Sequence, residues 1–212
     1  MNKAIEKTVI KLVFSNKINK IESSLLTISR QLELKPSYLE SVLSSLVAED
    51  TLKLNSNEIY SLTPFGRKLV TVVMTSGVFD LLHIGHIFTF QQAKLLGDIL
   101  VVVLATDKTV QKLKSRTPTN SQDERTKVVQ HIEEVDCALV GTEEDFISTI
   151  DFIQPDIITL GYDQVFEEKN LHKQLSERGF DHIKIIRLKQ YIPGKSTSKI
   201  VQDIVNYNIK NN

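Results

Sequence analysis

Apolar residues recur at helical spacing through the first third of the chain: Ile5, Val9, Leu12 and Val13, then Leu25, Ile28 and Leu32, then Leu39, Val42, Leu43 and Leu46. The pattern predicts three short helices. Pro36 followed by Ser37 and Glu40 predicts that the third opens with a capping box, in which Ser37 and Glu40 satisfy free backbone donors. Residues 51–54 and 59–62 alternate around Asn55-Ser56-Asn57, which reads as a hairpin with a polar turn. A further helix start at Thr63-Pro64 runs almost directly into a different period. Runs at 71–75, 99–105, 138–141, 157–160 and 183–187 are short and rich in β-branched residues, with helix-length amphipathic segments between them. Such alternation predicts an α/β fold whose parallel sheet is covered on both faces. The change of period divides the chain into 1–69 and 70–212, and with no Pro/Gly/Ser linker between them the two parts are expected to pack together.

Composition narrows this. At 212 residues the chain suits one domain or a small module beside a larger one, and 41% hydrophobic and 25% charged residues are ordinary globular values. Lys+Arg and Asp+Glu both number 26, so no global charge favours nucleic acid or an anionic membrane. Residues 1–70 hold 10 Lys+Arg and 7 Asp+Glu, net +3, but residues 36–50 hold Glu40, Glu49 and Asp50 without a Lys or Arg. The third helix is therefore acidic, a poor source of counterion release, and the amino-terminal part is expected to mediate homodimer formation or interdomain packing rather than DNA binding. Cys137 is alone, which excludes an intramolecular disulfide, and no 18-residue apolar run or signal pattern is present; a cytoplasmic, non-membrane protein is expected.

The candidate chemistry follows the first strand of the second part. Gly77-Val78-Phe79-Asp80-Leu81-Leu82-His83-Ile84-Gly85-His86 leads into a helix expected over 87–96. A sharp turn from strand to helix presents backbone N–H groups and a positive dipole end to phosphate. Gly77 and Gly85 would allow close approach of backbone and nucleotide, and His83 and His86, three residues apart, can face one phosphorus. Asp80 is a candidate ligand or the holder of the turn. After the second strand come Asp107, Lys112, Lys114, Arg116, Pro118, Glu124 and Arg125, with basic side chains expected on the loop where open α/β sheets bind ligands. Either Lys112 or Lys114 suits phosphate, and Arg125 suits phosphate or the pinning of its helix. Further on, Gly161-Tyr162-Asp163-Gln164 follows the fourth strand. Tyr191-Ile192-Pro193-Gly194-Lys195-Ser196-Thr197-Ser198-Lys199 precedes the last helix, where hydroxyls, N–H groups and lysines can meet phosphate or simply cap.

These four elements, in this order, resemble the nucleotidyltransferase superfamily, cytidylyltransferase-like branch, with its Gly-Thr-Phe-Asp and His-x-Gly-His signature; Val78 stands where Thr is usual. The resemblance implies a Rossmann-like doubly wound sheet, catalysis by His83, His86 and Lys114, and nucleotide binding by Gly77, Val78, Phe79, Asp80, Gly85, Lys112, Arg116, Arg125, Gly161, Asp163, Tyr191, Ser196, Thr197, Ser198 and Lys199. Tyr191 replaces the Arg that glycerol-phosphate-type cytidylyltransferases use. With the 112–118 loop and Leu160-Gly161-Tyr162-Asp163-Gln164, this looks more like archaeal-type FAD synthase, which implies ATP, FMN and Mg²⁺ or another divalent cation. The alternatives are a CTP-dependent enzyme acting on glycerol 3-phosphate or phosphoethanolamine, and a nucleotide- or flavin-sensing regulator. Residues 1–69 resemble a winged helix. His-Ile-Gly-His and Lys195-Ser196-Thr197-Ser198-Lys199 also echo class I aminoacyl-tRNA synthetases, but about 140 residues leave no room for amino-acid and tRNA recognition.

Overall fold

The computed structural model describes residues 3–143, 146–161, 168–189 and 192–211, and the chain divides into two compact units, Met1–Thr71 and Val72–Asn212. In the first, helices α1 (Lys3–Ile18), α2 (Leu25–Leu32) and α3 (Pro36–Ala48) precede strands β1 (Leu52–Leu54) and β2 (Tyr60–Leu62) and the single turn α4 (Pro64–Arg67). The helical periodicity closes one core, in which Val9, Val13, Phe14, Ile28, Leu39, Leu43, Leu46 and Leu52 are buried. Asn16 is buried among them because its amide exchanges two 2.9 Å hydrogen bonds with Gln31. The hairpin pairs Leu52 with Leu62 and Leu54 with Tyr60, and the Asn55 side-chain oxygen accepts from the N–H groups of Asn57 and Ile59 to close the turn.

The start of α3 differs from the expectation. Lys35 occupies the N-cap, Pro36 is the first helical residue, and no side chain caps the helix. Proline lacks an N–H to satisfy and its φ already suits a helix, so Ser37 falls inside the first turn and its capping box with Glu40 does not form.

In the second unit, β3 (Val72–Gly77), β4 (Ile99–Leu104), β5 (Cys137–Val140), β6 (Ile157–Leu160) and β7 (Lys184–Arg187) alternate with α5 (Ile84–Lys94), α6 (Asp107–Lys114), α7 (Gln122–Gln130), α8 (Phe146–Ile153) and α9 (Glu168–Ser176), ending in α10 (Thr197–Asn211). The strands are parallel in the order β5-β4-β3-β6-β7, a Rossmann-like α/β sheet. Every residue of β4 and β6 is buried, as strands covered on both faces require. On one face Val73, Leu100, Val102 and Leu104 pack with Phe90 and Ala93 of α5 and Val129 of α7. The chain runs outward from β3 through β4 to β5 and then returns to β6 on the other side of β3. That reversal opens a crevice at the carboxyl ends of β3 and β6, where such sheets bind ligands. No helix among the described residues is long and apolar enough to cross a membrane.

Candidate active site

Beyond Gly77 the chain turns sharply, and Phe79 adopts a left-handed φ of 48°. A bulky residue pays strain there, so neighbours must hold it. Two do. Arg125, fully buried on α7, donates from its guanidinium to the carbonyls of Val78 (2.6 Å), Ala105 (2.8 Å) and Asn120 (3.1 Å) and to the Asp107 carboxylate (2.7 Å). Asp80, also buried, accepts at 3.0 Å from Arg116 and from the N–H groups of Thr119 and Asn120. Burial alone would raise the Asp80 pKa, but the Thr119 and Asn120 N–H groups and the Arg116 guanidinium outweigh it and lower the pKa. Of the two roles open to Asp80, and of the two open to Arg125, these bonds favour the structural one. The Asp80 carboxylate and the Arg125 guanidinium face protein partners.

The held turn aims two imidazoles. The helix begins at Ile84 rather than 87, because His83 itself is the N-cap and its Nδ1 accepts from the Gly85 N–H at 3.1 Å. An accepting Nδ1 puts the ring proton of neutral His83 on Nε2, free to donate outward. His86 stacks on His83, with ring centroids 3.9 Å apart and planes at 24°. The Phe79 ring braces His86 edge-on at 5.3 Å. The two glycines serve this packing. A Cβ on Gly77 would stand 2.7 Å from the Phe79 ring, and one on Gly85 would stand 2.9 Å from the His83 imidazole. Both positions thus make room for the protein's own rings.

Burial lowers the His83 pKa. It lowers that of His86 further, to about 4, with help from the charges at His83 and Lys114. His86 Nδ1 is buried with no hydrogen-bond partner among the described residues. Burial thus holds the His86 ring neutral at pH 7. Of the two candidate lysines, Lys112 and Lys114, the charge of Lys114 is among the causes that lower the His86 pKa. Both lie in the last turn of α6, not on a loop as expected, because Thr106 caps a helix that continues to Lys114 and ends at Ser115 with a left-handed φ of 51°.

The start of α10 reaches the same turn. The Lys195 carbonyl lies 3.6 Å from where a Gly85 Cβ would be, and the Thr197 hydroxyl donates to the Leu81 carbonyl at 3.4 Å. Ser196 Oγ accepts from the Lys199 N–H at 3.2 Å, a capping bond, while the Lys199 ammonium pairs with Asp203 at 3.0 Å. Ser198 is exposed. At the end of β6 the Gly161 carbonyl accepts from Arg187 at 2.9 Å. Asp163 and Tyr191 lie outside the described residues. Thr119 and Asn120 were not singled out from sequence. The signal available was Asn120 standing before Ser121 and Glu124, which form the real capping box of α7.

Comparison with known proteins places the second unit in a family. The cytidylyltransferase-like family model matches residues 74–203. The FAD synthase of Aciduliprofundum boonei is 43% identical over 135 residues, 63% of this chain and 89% of that protein. The FAD synthase of Methanothermus fervidus is 43% identical over 136 residues, 62% of this chain and 92% of that protein. A crystal structure described as the lipopolysaccharide core biosynthesis protein of Thermoplasma volcanium shares 40% identity over 58% of this chain and 99% of that one, with a TM-score of 0.56. The matched span holds the stacked histidines, the buried arginine that fixes their turn and the hydroxyl-rich start of α10, and this chain belongs to the cytidylyltransferase-like family of nucleotidyltransferases.

Proposed function

We propose that the protein is an FAD synthase, transferring the adenylyl group of ATP to the phosphate of FMN with release of pyrophosphate. The observation that carries this reading is the stacked, neutral His83–His86 pair at the start of α5, beside Lys114 and the start of α10. The similarity to FAD synthases at about 40% identity supplies the choice of substrates. An oxygen of the FMN phosphate attacks the α-phosphorus in line, a new P–O bond forms, and the bond to the β-phosphate oxygen breaks so that pyrophosphate leaves with the electron pair. The nucleophile is already ionised at neutral pH, so positioning and charge stabilisation supply the catalysis.

His83 Nε2–H and His86 face the α-phosphate as its charge grows. Lys114, Ser196, Thr197 and the N–H groups at the start of α10 hold the β- and γ-phosphates, with Lys112, Ser198 and Lys199 at the rim; Lys199 exchanges Asp203 for phosphate. By the family resemblance, Gly161 and Asp163 are assigned to base and ribose, and Tyr191 to the phosphates. Gly77, Val78, Phe79, Asp80, Gly85, Arg116 and Arg125 shape the turn. Mg²⁺ would enter on the triphosphate, because it prefers phosphate oxygens and retained waters to an all-protein cage and neutralises their charge. Asp80 is a poor ligand for it, since its oxygens already accept from Arg116, Thr119 and Asn120. The reaction belongs in the cytoplasm. Residues 1–69 read as a winged-helix-like module for homodimer formation or packing.

The test is pyrophosphate release and product mass with ATP or CTP against FMN, glycerol 3-phosphate and phosphoethanolamine in Mg²⁺. FAD from ATP and FMN is expected, falling by about 10²-fold or more in His86→Ala, the scale of one lost transition-state donor. Turnover only with CTP and a small phosphate would move the substrate, and wild-type turnover in His86→Ala would remove the histidine assignment.

A further inference from the structure

We infer that the groove between α2, α3 and the β1–β2 hairpin seats a second copy of this chain, whose basic turn after α1 lies across it, so that the unit Met1–Thr71 pairs two-fold through complementary charge; this rests on the homodimer reading of residues 1–69. The groove, about 310 Å³, is walled by Leu25 and Leu26 of α2, by Glu40 of α3, and by Leu54, Glu58 and Tyr60 of the hairpin.

The groove is negative and partly apolar. Burial raises the Tyr60 pKa, and the carboxylates of Glu40 and Glu58 raise it further, so both charges stand near that ring. Neither carboxylate has a hydrogen bond or ion pair among the described residues. Phosphate would be repelled there, whereas ammonium groups set beside apolar surface fit. The chain carries that combination in its own turn at 17–21. Lys17, Lys20 and Ile21 are exposed there, and neither lysine side chain has a partner among the described residues. Turn and groove adjoin. The Ile21 N–H donates to the Asn16 carbonyl at 2.8 Å, and the Ser23 carbonyl accepts from the Tyr60 N–H at 3.0 Å, so the turn leads straight to the groove wall at Leu25. Adjoining patches of opposite sign are self-complementary: a two-fold axis between them lays each turn on the partner's groove and makes every contact twice. Exposed ion pairs contribute little by themselves. Leu26, Leu54 and Ile21, exposed at 57%, 47% and 42%, supply the apolar surface to be covered, and the charges fix which faces meet.

The experiment measures the mass of the full-length protein by sedimentation across a concentration series, for wild type and two double variants. One carries Glu40→Lys with Glu58→Lys, the other Lys17→Glu with Lys20→Glu. Wild type is expected at twice the 24.0 kDa chain mass. Each variant alone sets like charges against each other at both contacts, and its dimer Kd is expected to rise about tenfold or more. An equimolar mixture is expected to restore the dimer, because each groove then meets a turn of opposite sign. All four positions are exposed, and recovery on mixing shows that both variants are folded. A dimeric wild type whose Kd neither variant changes would overturn this interface and leave the homodimer reading standing. Variants that stay monomeric when mixed would overturn it too, since complementary charge would not be the cause. A monomeric wild type would remove both, while FAD formation by the same samples reports on the synthase reading separately.

Discussion

His86 is held neutral by its surroundings: burial first, then the charges at His83 and Lys114, bring its pKa to about 4. The folded state therefore takes up this proton only near pH 4, whereas an unfolded chain takes it up near 6.5. Between those values the unfolded state binds more protons, so stability falls as pH falls and levels off below pH 4. Denaturant titrations of wild type from pH 7 to 4 should lose on the order of 3 kcal/mol more than His86→Asn does. Asp80 acts in a lower window, since its lowered pKa contributes stability above the ordinary carboxylate value that is lost only as pH falls through the folded one. Equal losses in wild type and His86→Asn across the upper window would show that the ring is solvated. At this scale the histidines were legible in the sequence, because two imidazoles flanking a glycine after a strand have few purely structural uses. The commitment of Asp80 was not, because its donors Thr119 and Asn120 lie 39 and 40 residues away.

Among the elements, the β3–α5 turn is rigid because α7 holds it. Arg125 is buried at 1% exposure and bonds the backbone beyond β3, β4 and α6 at once, through Val78, Ala105 and Asn120. Arg125→Ala would take the guanidinium from these carbonyls and leave the Asp107 carboxylate without its cation, with only the Gln122 N–H donating to it. A loss of about 3–5 kcal/mol in chemical denaturation is expected. Lys would not restore it, since one ammonium cannot reproduce the planar fork. A variant as stable as wild type would mean that the turn holds itself. Element types were readable from period, and all five sheet strands lie within a residue or two of their expected runs. Helix starts were less readable. Pro36 began α3 without a capping box, whereas Ser121 and Glu124 formed one for α7, and His83 capped α5 with an imidazole that local sequence rules do not count.

At the scale of the whole molecule, the family match covers residues 74–203, and the unit Met1–Thr71 stands outside it. The exposed residues of α3 include Ser37, Tyr38, Glu40, Ser41 and Ser44, and the helix has no basic side chain to contact phosphate. Full-length protein should show no salt-sensitive complex with duplex DNA beyond weak non-specific binding, of order 10⁻⁴–10⁻⁶ M at physiological salt. A tight operator complex in a mobility-shift titration would overturn the packing or dimer role proposed for this unit. What the chain determined by itself was its periodicity: which stretches are helix or strand, where the period changes, and where a glycine-histidine turn must sit at a strand's carboxyl end. Those properties are local, set by side-chain spacing over a few residues. Only the tertiary structure decided which charged groups face ligand and which face protein. It turned Arg125 and Asp80 inward, brought the charge of Lys114 to bear on His86, and laid the apolar face of α10 beside the histidine turn. Each of those outcomes depends on partners distant in sequence, and no local pattern encodes which of several equally charged side chains the fold will neutralise.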